Sequence, residues 1–463
     1  MPRPVHDDGS KHARIIVIGE APGVQEVAQG RPFVGPSGQM LLGWMRDVGL
    51  SRADVYWTNV YPFQPPSNKI EAIPRAELDA WVEQLHTRLS DLTDPWVLVP
   101  TGNTALQALT GKRRILKHRG SLYEYTDQRT RRVKVIPTVH PAAVFRTPGW
   151  ERRCRADWRR IAADVEFRDL RLPNRQHLTH PTLTDIHDFL ADAQSASALA
   201  LDIETPSGDI DCLAFSTDPS FSLTIPTTEW YWHGDLEPVW KLVRELCELP
   251  VPKVTQNGHY DTFHLAQHEI ALRRWRWDTL AMHHCLDPLD AHDLAYMASI
   301  DTRQPYWKDE AKDPEEAAKY ASNLDALWTY NGIDAAVTCE LAQVYQKRLG
   351  ERGLGPFYDR HYRRLFLPLL SLMLRGVRLD ERRRRQRHAR LTASLITAQD
   401  RLTVLAGEPL YAKKDLSTKR LARFLYETLR LPKVIDRKTG KVTTKEVAVR
   451  RLMIRFPDKL HET

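Results

Sequence analysis

Cysteine is scarce in this chain: five occur in 463 residues, at Cys154, Cys212, Cys247, Cys285 and Cys339, and no two stand at C-x-x-C spacing. That pattern offers neither a zinc ligand set nor a disulfide framework, so reduced, buried thiols are expected. Long apolar runs are lacking as well. No segment approaches the roughly 18 uninterrupted apolar residues of a membrane span. Residues 1–14 have no apolar stretch of the kind a secretory signal carries, so no membrane association and a cytoplasmic location are expected. Internal repeats and low-complexity tracts are also missing.

What is present suits a folded, multidomain protein. Hydrophobic residues make up 42% and charged residues 27% of the chain, close to globular averages. At about 150 residues per domain, the length suggests roughly three domains. Lysine and arginine number 67 against 59 acidic residues, a net charge of +8. The cations cluster in Lys112–Arg114, around Arg131, in Arg152 and Arg153, in Arg159 and Arg160, and in Arg382–Arg385. Clustered cations suit a polyanion such as nucleic acid, although a solvated helix face explains any single run equally well.

Short apolar runs at residues 15–18, 55–60, 97–99 and 133–136 read as strands separated by helical patterns, which predicts an α/β domain over 13–167. A polar, proline-containing stretch, 168–181, reads as a linker. A second mixed domain is expected over 182–350, and 351–463 reads as helical and increasingly basic.

In the first domain, Gly19-Glu-Ala-Pro-Gly23 and Gly30-Arg-Pro-Phe-Val-Gly-Pro-Ser-Gly38 follow the first strand. Such a loop lets backbone approach a ligand, cradles phosphate, or merely turns the chain. Thr58-Asn59-Val60, Pro100-Thr-Gly-Asn-Thr-Ala105 and Thr138-Val-His140-Pro-Ala follow the later strands. Together and in this order, these pieces resemble the uracil-DNA glycosylase superfamily, and most closely its family 4 members. The resemblance implies a three-layer domain with a parallel sheet that extrudes a base from DNA into a pocket. There Phe33 would stack on uracil, and Asn59 would both donate to and accept from its edge. His140 would stabilise the uracil oxygen as charge develops, and Glu20 or Glu26 would position the attacking water. Better-known uracil glycosylases carry an aspartate where this chain has Ala21. Many family 4 members hold an iron–sulfur cluster through four cysteines, but no cysteine precedes Cys154 here, so no cluster is expected.

In the second domain, Asp202 and Glu204 stand two apart in a strand and share one face. Gln256-Asn257-Gly-His-Tyr-Asp261 follows another strand-like run, and Tyr330 and Asp334 stand four apart on a helix. Four carboxylates can hold two hard cations that activate water for phosphodiester cleavage. The set resembles the tyrosine subtype of the DEDD 3′–5′ exonucleases, a ribonuclease H-like fold, and looks most like the proofreading domain of DNA polymerase I relatives. The resemblance implies two Mg²⁺ or Mn²⁺ ions on Asp202, Glu204, Asp261 and Asp334, with Tyr330 orienting water and Asn257 contacting substrate.

Arg375-Gly-Val-Arg-Leu-Asp380, Asp415-Leu-Ser-Thr-Lys-Arg-Leu and Lys438-Thr-Gly-Lys-Val-Thr-Thr resemble the thumb-like start of the family A polymerase region. Nothing resembling palm or fingers follows, so no polymerisation is expected from this chain alone, and a separate palm-and-fingers polypeptide is a candidate partner. The expected protein is a proofreading exonuclease and uracil-DNA glycosylase of phage-like replication or repair, in a bacterial or phage-infected cell. Its DNA partners would be single-stranded 3′ ends, uracil-containing DNA and primer–template duplex. The alternative is a non-catalytic DNA-binding or uracil-sensing scaffold for a separate polymerase.

Overall fold

The computed structural model describes residues 3–308, 323–412, 415–436 and 441–457. Lys438, Thr439 and Gly440 of the polymerase-like stretch lie outside the described residues. The chain divides into two compact units, Met1–Leu374 and Arg375–Thr463. Among the described residues, no helix is long and apolar enough to cross a membrane.

The first unit opens with a mixed α/β domain. Its strands are β1 (Ile15–Gly19), β2 (Val55–Asn59), β3 (Val97–Pro100), β4 (Tyr123–Thr126) and β5 (Arg132–Val135), in the order β2-β1-β3-β5-β4. β1 runs parallel to β2 and β3, and β3 parallel to β5, while β4 pairs antiparallel with β5. The helices are α1 (Val24–Gln29), α2 (Pro36–Arg46), α3 (Arg75–Ser90), α4 (Asn103–Thr110), α5 (Ile115–His118), α6 (Pro141–Val144) and α7 (Glu151–Asp164). Parallel strands are covered on both faces and therefore apolar throughout. In β1, Ile15 and Val17 pack with Leu41, Trp44 and Trp158 of α2 and α7. Ile16 and Ile18 pack with Leu85 and Leu89 of α3 and Leu109 of α4. With the strands buried, the loops beyond their carboxyl ends remain to form a site.

The second sheet has the order β11-β10-β7-β8-β9-β6. Its strands are β6 (Gln176–Leu178), β7 (Leu199–Glu204), β8 (Cys212–Asp218), β9 (Phe221–Pro226), β10 (Lys253–Thr255) and β11 (Trp275–Asp278). β6 lies inside the stretch expected to be a linker; it pairs in parallel with β9 and is too short for alternation to reveal. The helices are α8 (Leu183–Ala193), α9 (Glu237–Glu248), α10 (His259–Gln267), α11 (Thr279–Leu286) and α12 (Leu294–Asp301), followed by a long helix, Leu324–Glu351. Leu199, Leu201 and Ile203 face a core with α8 and α9. Ala200 faces the other way, against Cys339 and Ala342 of the long helix. That helix approaches closely because Gly332 has no side chain: a Cβ there would stand 2.8 Å from Ser222 Oγ.

The C-terminal unit is helix-rich. The helix Glu381–Ala406 begins at Asp380, whose carboxylate accepts from the Arg383 amide, and none of its residues is buried. A small core gathers Leu410, Phe424, Leu425, Tyr426, Leu431 and Leu452.

Candidate functional site

Glu20, Glu26, Phe33, Asn59 and His140 line one cavity of about 910 Å³. It forms where β1 and β2 end and where the loops after β3 and β5 meet them. Gly19 ends β1 beneath it, and a Cβ at that position would stand 2.2 Å from Asn59 Oδ1 and 2.8 Å from Phe33 Cζ. Phe33 is buried with φ at +54°, a conformation that L-residues adopt only under constraint. Arg52 supplies the constraint: its guanidinium donates to the carbonyls of Pro32 at 2.7 Å and Phe33 at 3.2 Å while pairing with Asp8 at 2.6 Å. The Phe33 ring centroid lies 5.2 Å from that of Trp57 and 6.3 Å from that of His140.

The two glutamates differ. Glu26 accepts from the amides of Gly35 at 2.8 Å and Gly23 at 3.2 Å, which ties the two glycine loops together. Glu20 accepts from the Thr104 hydroxyl at 2.5 Å, and burial holds its carboxyl above the usual range despite that bond. His140 Nδ1 accepts from the Ala142 amide at 3.2 Å. Enclosure by protein pushes the imidazole pKa down to about 4. The ring is therefore neutral at pH 7, with its proton on Nε2, a donor. Thr104, Lys69 and Arg146 also line the cavity; Thr104 belongs to the Pro100–Ala105 stretch, where a threonine hydroxyl is no signal by itself.

In the second sheet, Asp202, Glu204 and Asp334 each place one carboxylate oxygen within 4.8 Å of the others'. Alternation along β7 turns both of its acids toward the long helix, and Gly332 lets that helix bring Asp334 to them. Asn331 donates to Asp202 at 2.7 Å. Asp334 accepts from the Trp307 indole at 2.6 Å and the Lys308 ammonium at 2.7 Å, and Lys308 also reaches the Tyr330 hydroxyl at 3.1 Å. Asp261 stands beside this cluster but outside it, its Oδ1 accepting from the Ile203 amide at 3.2 Å. Asn257 is exposed, with φ at +60°. Its amide, with those of Gly258 and Ala281, donates to the buried Asp278, which fixes this loop.

Burial, with mutual repulsion, raises the acids. Asp202 is held far above the usual carboxylate range by burial, Asp334 and Glu204. Glu204 is pushed up to about 8 by burial and Asp334, and Asp261 to about 8 chiefly by burial. Three carboxylates thus face one ammonium, and the buried Asn331 Oδ1 has no hydrogen-bond partner among the described residues. Such an oxygen-rich set fits a hard divalent cation. Lys308, Trp307 and Asn331 carried no sequence signal: the first two lie in an aperiodic stretch, and the third is a single amide beside Tyr330 in a long helix.

The first unit therefore combines an α/β domain with a polar cavity at its strand ends and a second sheet domain bearing a candidate metal-binding acidic cluster. Through residues 6–162 the chain belongs to the uracil DNA glycosylase superfamily. A type-4 uracil-DNA glycosylase of Archaeoglobus fulgidus is 34% identical over 160 residues, 33% of this chain and 77% of that protein. A DNA polymerase of Bacillus phage SP01 is 31% identical over 154 residues, 32% of this chain and 16% of that protein. DNA polymerase I of Rhizobium leguminosarum is 26% identical over 326 residues, 62% of this chain and 31% of that protein. The chain thus spans most of the archaeal glycosylase and under a third of either polymerase. A glycosylase-superfamily domain is fused to a region similar to DNA polymerase I.

Proposed function

We propose that this protein degrades DNA from 3′ ends at the acidic cluster and removes uracil at the cavity, as a proofreading and repair component of a phage-type family A replication system. The observation that carries the reading is the convergence of Asp202, Glu204 and Asp334, with Tyr330 sharing the Lys308 ammonium with Asp334. With Asp261 alongside, these carboxylates would hold Mg²⁺ or Mn²⁺. A bound pair of such ions supplies an activated water and charge stabilisation in phosphodiester cleavage. Tyr330 orients the attacking water, and Asn257 contacts the strand. This is the ribonuclease H-like, DEDD tyrosine-subtype reading of 182–350, with 168–181 joining it to the glycosylase domain, 13–167.

In the cavity, of the family 4 kind, Phe33 stacks on the base and Asn59 reads its edge. The neutral His140 donates its Nε2 proton toward the oxygen where charge develops, at no cost in proton transfer. Glu20 positions the water, and Glu26 shapes the loops. Residues 351–463 serve as a thumb-like segment that grips primer–template duplex.

The Lys308 ammonium on Asp334 favours a second reading, a binding scaffold that needs no metal. A 3′-labelled, uracil-containing oligonucleotide separates the two. Mg²⁺-dependent shortening and Mg²⁺-independent abasic sites are expected; substrate unchanged in both conditions would overturn the enzymatic reading.

A further inference from the structure

The two domains of the first unit meet through buried charge. Arg119, on the loop after α5, is 2% exposed, and Asp157 of α7 is fully buried. The Arg119 guanidinium donates to Asp157 Oδ1 at 2.8 Å through Nε and a second time through one terminal nitrogen. Its other terminal nitrogen donates to Ser299 Oγ at 2.9 Å. Ser299 belongs to α12, in the second domain, and the ring of Tyr296 from the same helix lies 5.2 Å from the guanidinium.

The opposite oxygen of Asp157 accepts from the Thr138 hydroxyl at 2.8 Å. Thr138 stands two residues before His140. Its amide donates to Pro100 at 3.0 Å, and its carbonyl accepts from Gly102 at 3.0 Å. A continuous line of bonds thus runs from α12 through Ser299, Arg119, Asp157 and Thr138 to the loop that carries His140.

The backbone is shaped for this contact. Gly120 has φ at +72°, and a Cβ there would stand 2.8 Å from Asp157 Oδ1 and 3.0 Å from the Ser299 carbonyl. Its amide donates to the Pro137 carbonyl at 2.8 Å, just ahead of Thr138. Apolar side chains would join the two domains at least as well: the Arg119–Asp157 pair lies within the first domain, its desolvation cancels much of its attraction, and its crossing to the second domain is the hydrogen bond to Ser299. What a fully hydrogen-bonded pair adds is direction, because each donor must meet its acceptor within a few tenths of an ångström.

We propose that α12 of the exonuclease-like domain positions the His140 loop through this relay, so that Ser299, Arg119, Asp157 and Thr138 are positioning residues for base removal. The inference rests on reading residues 13–167 as a uracil glycosylase. Removing Arg119 or Asp157 would strand a buried charge and threaten folding, so the test uses the two hydroxyls, in the full-length chain. Ser299→Ala, Thr138→Val and the double variant are compared in single-turnover excision from a uracil-containing single strand.

Each single variant lowers the maximal rate about three- to tenfold with an unchanged half-saturating concentration, and the double variant is little worse than either. Ser299→Thr, which keeps the hydroxyl, restores the rate. Shortening of 3′ ends is unaffected throughout, which separates positioning from misfolding. A full maximal rate in Ser299→Ala, or losses that multiply in the double variant, would overturn the relay.

Hydrogen–deuterium exchange over residues 136–144 reads the same relay without catalysis, and it is faster in Ser299→Ala if the relay holds. Should the unaltered protein excise nothing, the glycosylase reading fails by itself. Exchange then decides the relay, with unchanged protection counting against it.

Discussion

The cavity and the acidic cluster are built in opposite ways. Around the cavity, irregular loops are held in shape by backbone contacts: Glu26 on two amides, Arg52 on two carbonyls, and Phe33 at a positive φ. Around the cluster, β7 and the long helix present side chains in register, and the tension is electrostatic, with crowded acids raised by burial and by one another. A site that orients a neutral ring invests in steric definition. A cluster fit for cations concentrates acids, whose mutual repulsion is relieved by protons, by an ammonium such as Lys308 or by a bound metal.

The contrast is broken most sharply by Asp334→Asn. Shortening of 3′ ends should fall about a thousandfold, the scale of a metal's electrostatic contribution, while uracil excision continues. A gel of 3′-labelled, uracil-containing substrate reads both, and loss of excision as well would deny the separation.

Gly19→Ala is the converse. The added Cβ meets Asn59 and Phe33 and displaces them, which should lower excision about a hundredfold with end shortening intact. Single-turnover rates on the two substrates measure it.

The pH dependence sharpens the comparison. His140, with its pKa depressed to about 4, stays neutral well below pH 7, whereas Glu20 is raised. The acid limb of excision should therefore follow Glu20 and disappear in Glu20→Gln, as a pH–rate profile would reveal.

Stability carries a pH signature as well. Glu204 and Asp261 keep protons up to about pH 8 in the folded, metal-free chain, against about 4 when unfolded. The folded state binds more protons across that window, so stability is greatest below it and declines as pH rises toward 8. Thermal melts in EDTA should show Tm falling from pH 5.5 to 8, by about 2–4 °C per kcal/mol lost, and Mg²⁺ should flatten the trend.

How far the sequence revealed these sites follows from how each is made. Asp202 and Glu204 were legible because strand alternation fixes which way side chains point, and Tyr330 and Asp334 because four residues make about one helical turn. The glycine-rich loops were legible as a pattern, but their clamp was not. Arg52 and Asp8 are 44 residues apart, and no local periodicity connects them. β4 was missed because its Tyr-Glu-Tyr-Thr is largely solvent-facing, and β6 because three residues carry no rhythm. Lys308 was invisible for a related reason: an isolated lysine in a polar stretch looks the same whether it faces water or a carboxylate.

Gly332 has a consequence for the protein's tolerance of change. The long helix meets the second sheet over a glycine whose place any side chain would contest with Ser222, Thr224 and His177. A codon randomised there and selected for end-shortening activity should return glycine alone, even though glycine weakens the interior of a helix. One position with no side chain thereby fixes how much of its neighbourhood in sequence space this fold can explore while keeping Asp334 within reach of β7.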